Sequence, residues 1–134
     1  LNIREDGGSG RDQVWSTTWN MIKTSNSEHL IYGHGHNGVL KNSPLELSAH
    51  NDFLEIMYNY GIVGFIPYLI LHIQLLKQVF ATIQARKEYA SIIAFTYTIF
   101  FIVSMISIVI LYPLMALVAI VWGITYNPPQ KETI

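Results

Sequence analysis

The chain has 134 residues, no cysteine and a formal net charge of −1. Disulfides and thiolate metal sites are therefore excluded, and the dense basic patch that nucleic-acid binding requires is absent. Charge is nonetheless polarised: residues 1–60 carry four Lys or Arg against seven Asp or Glu, a net of −3, while the long apolar runs lie from Gly61 onward. A start at Leu1 rather than methionine leads us to expect a piece of a longer protein.

After the turn-forming lead-in EDGGSG, Val14, Trp15, Thr18, Trp19 and Ile22 recur at helical spacing. This predicts an amphipathic helix over 10–24, with Ser9 and Asp12 resembling a capping box. Trp15 and Trp19 read as packing or interfacial residues. Residues 25–47, rich in Ser, Asn and Gly, read as loop. A second helix is predicted to begin near Ser48 or Ala49, with Phe53, Leu54, Ile56, Met57 and Tyr60 on its apolar face, and to run to Gly61. His50, Asn51 and Asp52 then fall in its first turn. There the unpaired N–H groups and the positive dipole end favour an anion.

From Gly61 to Val79, nineteen residues carry one charge, Lys77. About 20 such residues cross a hydrocarbon layer of roughly 30 Å. The polar stretch QARKE follows, and then 38 residues, Tyr89 to Tyr126, without a charged side chain. One helix of that length would reach about 57 Å, too long for a single span. Two short spans with a turn near 104–113 fit better, Pro113 opening the last. The expected fold is an all-α polytopic membrane protein. Its parts are an extracytoplasmic loop over 1–60, a span over 61–83, a cytoplasmic loop over 84–89, two short spans over 90–126 and a cytoplasmic tail over 127–134. Lys77, Arg86, Lys87 and Lys131 set this orientation by the positive-inside rule, leaving residues 1–58 outside. No signal peptide is visible, so export would depend on upstream spans. His72, near the bilayer midplane, is expected to make a buried inter-helix hydrogen bond, with a proton relay as the alternative.

The loop IYGHGHNG holds Gly33, Gly35 and Gly38 in the order G-x-G-x-x-G. A dinucleotide site needs a strand before this motif and a helix after it. Asp52 would supply the acid, but Pro44 and the absence of a helical period after Gly38 make the match accidental. A metal site is a second reading: His29, His34, His36 and His50 lie within twenty-two residues, and His50 or Asp52 could complete a zinc set. The glycine-rich loop offers little to hold such ligands rigidly. The third reading is a turn whose backbone approaches a ligand closely, forming an anion site together with Arg11 and His50.

The order SGRDQVW, IYGHGHNG and SAHNDFLEIMYNYGIVGF, followed by a span, resembles the C-terminal region of the O-antigen ligase and O-antigen polymerase (Wzy-type) family. The residues that carry it are Gly10-Arg11, Trp15, Gly33, Gly35, His50-Asn51 with Leu54, and Gly61 with Gly64. The resemblance implies the C-terminal part of a GT-C-like, multi-spanning glycosyltransferase with a periplasmic loop, in the bacterial inner membrane. It implies a metal-independent reaction without cofactor on glycans carried by undecaprenyl pyrophosphate. The acceptor is a glycan or lipid A core, membrane lipids are partners, and nucleic acid is not. Arg11 and His50 are the implied catalytic residues, with Gly33, Gly35 and Asn51 binding substrate. Polymerisation of repeat units is the expected reaction; ligation and protein glycosylation are alternatives in the same family. A transport or metal-binding membrane subunit is the rival from another class.

Overall fold

The computed structural model describes residues 10–106 together with 119, 120, 122 and 123. Five helices occupy residues 10–106 in the order α1 (Arg11–Thr24), α2 (Ser27–Tyr32), α3 (Gly38–Asn42), α4 (Asp52–Gln84) and α5 (Ala90–Ile106), with no strand among the described residues.

Helix α1 lies where the apolar period placed it and buries Val14, Thr18 and Ile22, a stripe at four-residue spacing. Its cap falls on Gly10, in left-handed conformation and without a side-chain bond; Ser9 of the expected capping box lies outside the described residues. The 25–47 segment, which composition reads as loop, contains α2 and α3. Asn26 starts α2 by accepting the His29 N–H at 2.8 Å on Oδ1, an N-cap with a clear physical basis. Helix α3 has no side-chain cap. A five-residue helix is not stable alone, and packing of its buried Val39 with Ile22, Ala49 and Tyr58 holds it.

Helix α4 begins at Asp52 rather than near Ser48 or Ala49, because Asn51 is its N-cap. The Asn51 Oδ1 accepts the Leu54 N–H at 3.2 Å, and His50, at φ 49°, stands before the helix instead of in its first turn. At Gly61 (φ 62°, ψ −163°) the helical path breaks. A break of this kind leaves carbonyls of the preceding turn without intrahelical donors. The glycine loop supplies them: the His34 N–H donates to the Tyr58 carbonyl at 3.0 Å and the Gly35 N–H to the Asn59 carbonyl at 2.8 Å.

Beyond the break α4 is apolar and passes Pro67 without ending. By length and composition it can cross a membrane, and only 17% of its apolar window is buried, whereas the core helix of a soluble protein is mostly covered. A turn at Arg86, φ 49°, leads into α5, and the two helices run antiparallel. Asn51 Nδ2 donates to the Met105 carbonyl at 3.1 Å at one end, and Val79 packs in one cluster with Ile93 at the other. Helix α5 continues through Ile106. The rest of the expected turn, Pro113, most of the last span and the tail lie outside the described residues.

Candidate functional site

The site begins with a tie between α1 and the residues before α4. The half-buried Trp15 donates its indole N–H to the Ala49 carbonyl at 2.9 Å. Arg11 stands one turn before Trp15 on the same face of α1, and His50 directly follows Ala49, so this bond draws the two together. Both are exposed, and both line a half-open cavity of about 280 Å³ whose other walls, among the described residues, are Val14, Leu47 and Ala49. That volume sits just under the range of about 300–1,000 Å³ typical of small-molecule sites. Arg11 brings a planar cationic fork suited to paired oxygens, and Val14 and Leu47 bring apolar walls that strengthen its field. At the same place the Gly10 cap brings no side chain to the first N–H groups of α1, leaving the positive end of that helix dipole beside Arg11.

The end of α4 is less available to an anion than its position suggests. Asn51 caps it internally, and Asp52 and Glu55 lie in its first turn. Asn51 itself is buried and its amide is used at both ends, by the Leu54 N–H and the Met105 carbonyl. It supports the segment that carries His50 and is not among the cavity residues.

Gly33 and Gly35 divide in the same way. A Cβ on Gly33 would strike the backbone of Asn59 and Tyr60, and one on Gly61 the backbone of Ile31. These two strands of backbone meet so closely that only glycine fits either place. Gly35 is exposed with open space where its Cβ would be, although its φ of 87° still favours glycine. Neither lines the Arg11–His50 cavity.

The loop histidines turn to three separate partners: His29 Nδ1 to Asn26 Oδ1 at 2.8 Å, His34 Nε2 to Ser25 Oγ at 2.9 Å, and His36 Nδ1 to the Tyr60 hydroxyl at 2.9 Å. Among the described residues no three His, Asp or Glu side chains converge as a metal set. The His34 ring is sandwiched between His29 and Tyr58, each 4.1 Å away centroid to centroid. Burial, and secondarily the adjacent His29, hold His34 below the ordinary histidine range.

Pattern reading passed over Glu55 and Asn59, a buried polar pair one turn apart in α4, before Gly61. Glu55 Oε1 accepts the Ala49 N–H at 2.7 Å and its Oε2 accepts Asn59 Nδ2 at 3.0 Å. Burial pushes the Glu55 carboxyl up, opposed by the Ala49 N–H, the Asn59 amide, His50 and Ser48. In sequence the two fall with Asn51 and Asp52 on the polar face opposite Phe53, Ile56, Met57 and Tyr60, where solvated side chains are expected, so the pattern carried no signal of their burial. Deeper along α4, Tyr68 donates to Asp52 Oδ2 at 3.4 Å. His72 makes no inter-helix hydrogen bond among the described residues: both ring nitrogens lack partners, and the ring stacks on Phe100 with centroids 5.0 Å apart.

Comparison with known protein families, curated proteins and solved structures finds no match to this chain.

Proposed function

We propose that this chain is part of a GT-C-like, multi-spanning glycosyltransferase of the bacterial inner membrane that polymerises undecaprenyl-pyrophosphate-linked repeat units into surface polysaccharide. The observation that carries the reading is that Arg11 and His50, far apart in sequence, line one cavity. In the proposed reaction an acceptor hydroxyl oxygen bonds to the anomeric carbon as the carbon–oxygen bond to pyrophosphate breaks. Negative charge then grows on the phosphate oxygens, where Arg11 provides a paired contact. His50 accepts the hydroxyl proton, since histidine is the side chain suited to proton transfer near neutral pH. Gly35 is the loop glycine with room for close backbone approach by substrate, while Gly33 and Asn51 act by fixing the loop and the α4 cap.

The test is glycan transfer by the full-length protein. Arg11→Ala and His50→Ala are each expected to lower it by about 100–1,000-fold, the usual cost of deleting a preorganised transition-state contact, with membrane abundance unchanged. Arg11→Lys should recover only part, because an ammonium lacks the two-pronged geometry. His34→Ala and His36→Ala serve as controls and should cost less than about tenfold, or 1.4 kcal/mol of barrier. The reverse pattern, with Arg11→Ala tolerated and the controls damaging, would sink the assignment. In cells lacking the protein, single repeat units on lipid A core indicate polymerisation. Long chains accumulating on the lipid carrier indicate ligation instead.

A further inference from the structure

His50 is exposed, yet the residues on both sides of it are buried and bonded. Its φ of 49° lies in the left-handed region, which few residues with a side chain adopt, although histidine does so more readily than most. On one side, the Ala49 N–H is held by Glu55 Oε1 at 2.7 Å and the Ala49 carbonyl by Trp15 at 2.9 Å. On the other, Asn51 caps α4 and reaches the Met105 carbonyl of α5. Glu55 is the centre of this frame. It is 4% exposed, and its second oxygen accepts Asn59 Nδ2, while Asn59 Oδ1 accepts the Val39 N–H at 3.0 Å. A carboxylate is costly to bury unless its oxygens are hydrogen-bonded, so packing alone does not account for an acid here. We infer that Glu55 is a positioning residue: its buried carboxylate clamps Ala49 and thereby holds the left-handed His50 backbone and its imidazole at the Arg11 cavity. The inference rests on the role given to His50 above, and the test separates the two.

The donor and acceptor order of the network makes the test specific. Glu55→Gln keeps the volume and one acceptor for Ala49 but sets an amide NH₂ against Asn59 Nδ2. Turning the Asn59 amide only moves the mismatch to the Val39 N–H. Adding Asn59→Asp repairs every bond, because the new carboxylate accepts from both the glutamine and Val39. In the full-length protein, the Ala49 amide is expected to exchange hydrogen about tenfold faster or more in Glu55→Gln, because the clash of its NH₂ with Asn59 Nδ2 pushes the glutamine off its bond to Ala49. Transfer should fall about 10–100-fold in kcat through misplacement of His50, with KM little changed. The Glu55→Gln/Asn59→Asp double variant should restore both. Unchanged Ala49 exchange in Glu55→Gln overturns the inference, as does a double variant no better than the single. Normal kcat in Glu55→Gln while His50→Ala is inactive overturns it too. Loss of folded protein in both variants does the same, because a general structural role predicts that. If His50→Ala is itself fully active, the catalytic reading falls and the exchange result alone decides the clamp.

Discussion

His34 and His72 both sit among aromatic rings, but among the described residues only His34 has a polar partner, the Ser25 hydroxyl. The two should therefore respond oppositely to change. The folded state holds His34 below its ordinary value of 6.5 through burial and His29, so the unfolded chain binds more protons as pH falls. Stability of the glycine loop is then fully present above about 6.5 and is lost as pH drops toward the lowered folded value. Hydrogen exchange of residues 33–36 should accelerate over that window, and His34→Gln should flatten the dependence. A pH-independent loop would show that the stack is insensitive to charge. For His72, replacing an unpartnered polar ring by an apolar one of similar shape costs little or stabilises. His72→Phe should thus leave stability within about 1 kcal/mol of wild type, with abundance and transfer intact. A large loss of transfer at normal abundance would instead support the proton-relay alternative.

Among the elements, the contact between the glycine loop and the α4 break organises the rest. The loop donates N–H groups to the carbonyls of Tyr58 and Asn59, and the break keeps Gly61 against Ile31. This fixes where the amphipathic first part of α4 ends and the apolar part begins. It also holds Tyr58 beneath the His34 ring. Gly33→Ala adds a backbone collision to an unfavourable φ of 79°. Left-handed backbone and overpacking together predict a loss of about 2–4 kcal/mol. Gly35→Ala meets no atom, so only the φ penalty of about 1–2 kcal/mol applies. Thermal unfolding of the purified variants should rank Gly33→Ala well below Gly35→Ala. Equal melting would mean that the loop does not dock on α4.

At the scale of the whole molecule, α4 is long and apolar enough to cross a membrane, and the proposed function puts its two ends on opposite sides of one. Residues 62–84 span about 35 Å as a helix, with exposed Ile62, Val63, Ile66, Ile70 and Ile73 along them. Ser27 and Ala85 are both exposed and flank this stretch on opposite sides. In the proposed orientation, a cysteine at Ser27 reacts with an impermeant thiol reagent applied to intact cells, and one at Ala85 does not. Labelling of Ala85→Cys with Ser27→Cys silent would place the Arg11 cavity in the cytoplasm and remove the lipid-linked donor from reach.

Periodicity and composition were sufficient for what depends on near neighbours. Val14, Thr18 and Ile22 announced α1 because a helix turn is a local repeat, and the apolar run after Gly61 announced the long helix because solvent preference sums along the chain. The start of α4 was legible only approximately: apolar spacing reaches back to Ala49, but the Asn51 cap and the bonds at Ala49 decide the boundary. What needed tertiary structure was everything that joins distant segments. The approach of Arg11 to His50 depends on an indole N–H meeting a carbonyl thirty-four residues away. The role of Gly33 depends on backbone from α4 occupying the space a side chain would take. Glu55 carries no distinguishing mark in sequence, and it is a buried clamp only because Ala49 and Asn59 bring two donors to it. A hydrogen bond requires position in space, and hydrophobic patterning along one chain carries no record of which distant atom will supply it.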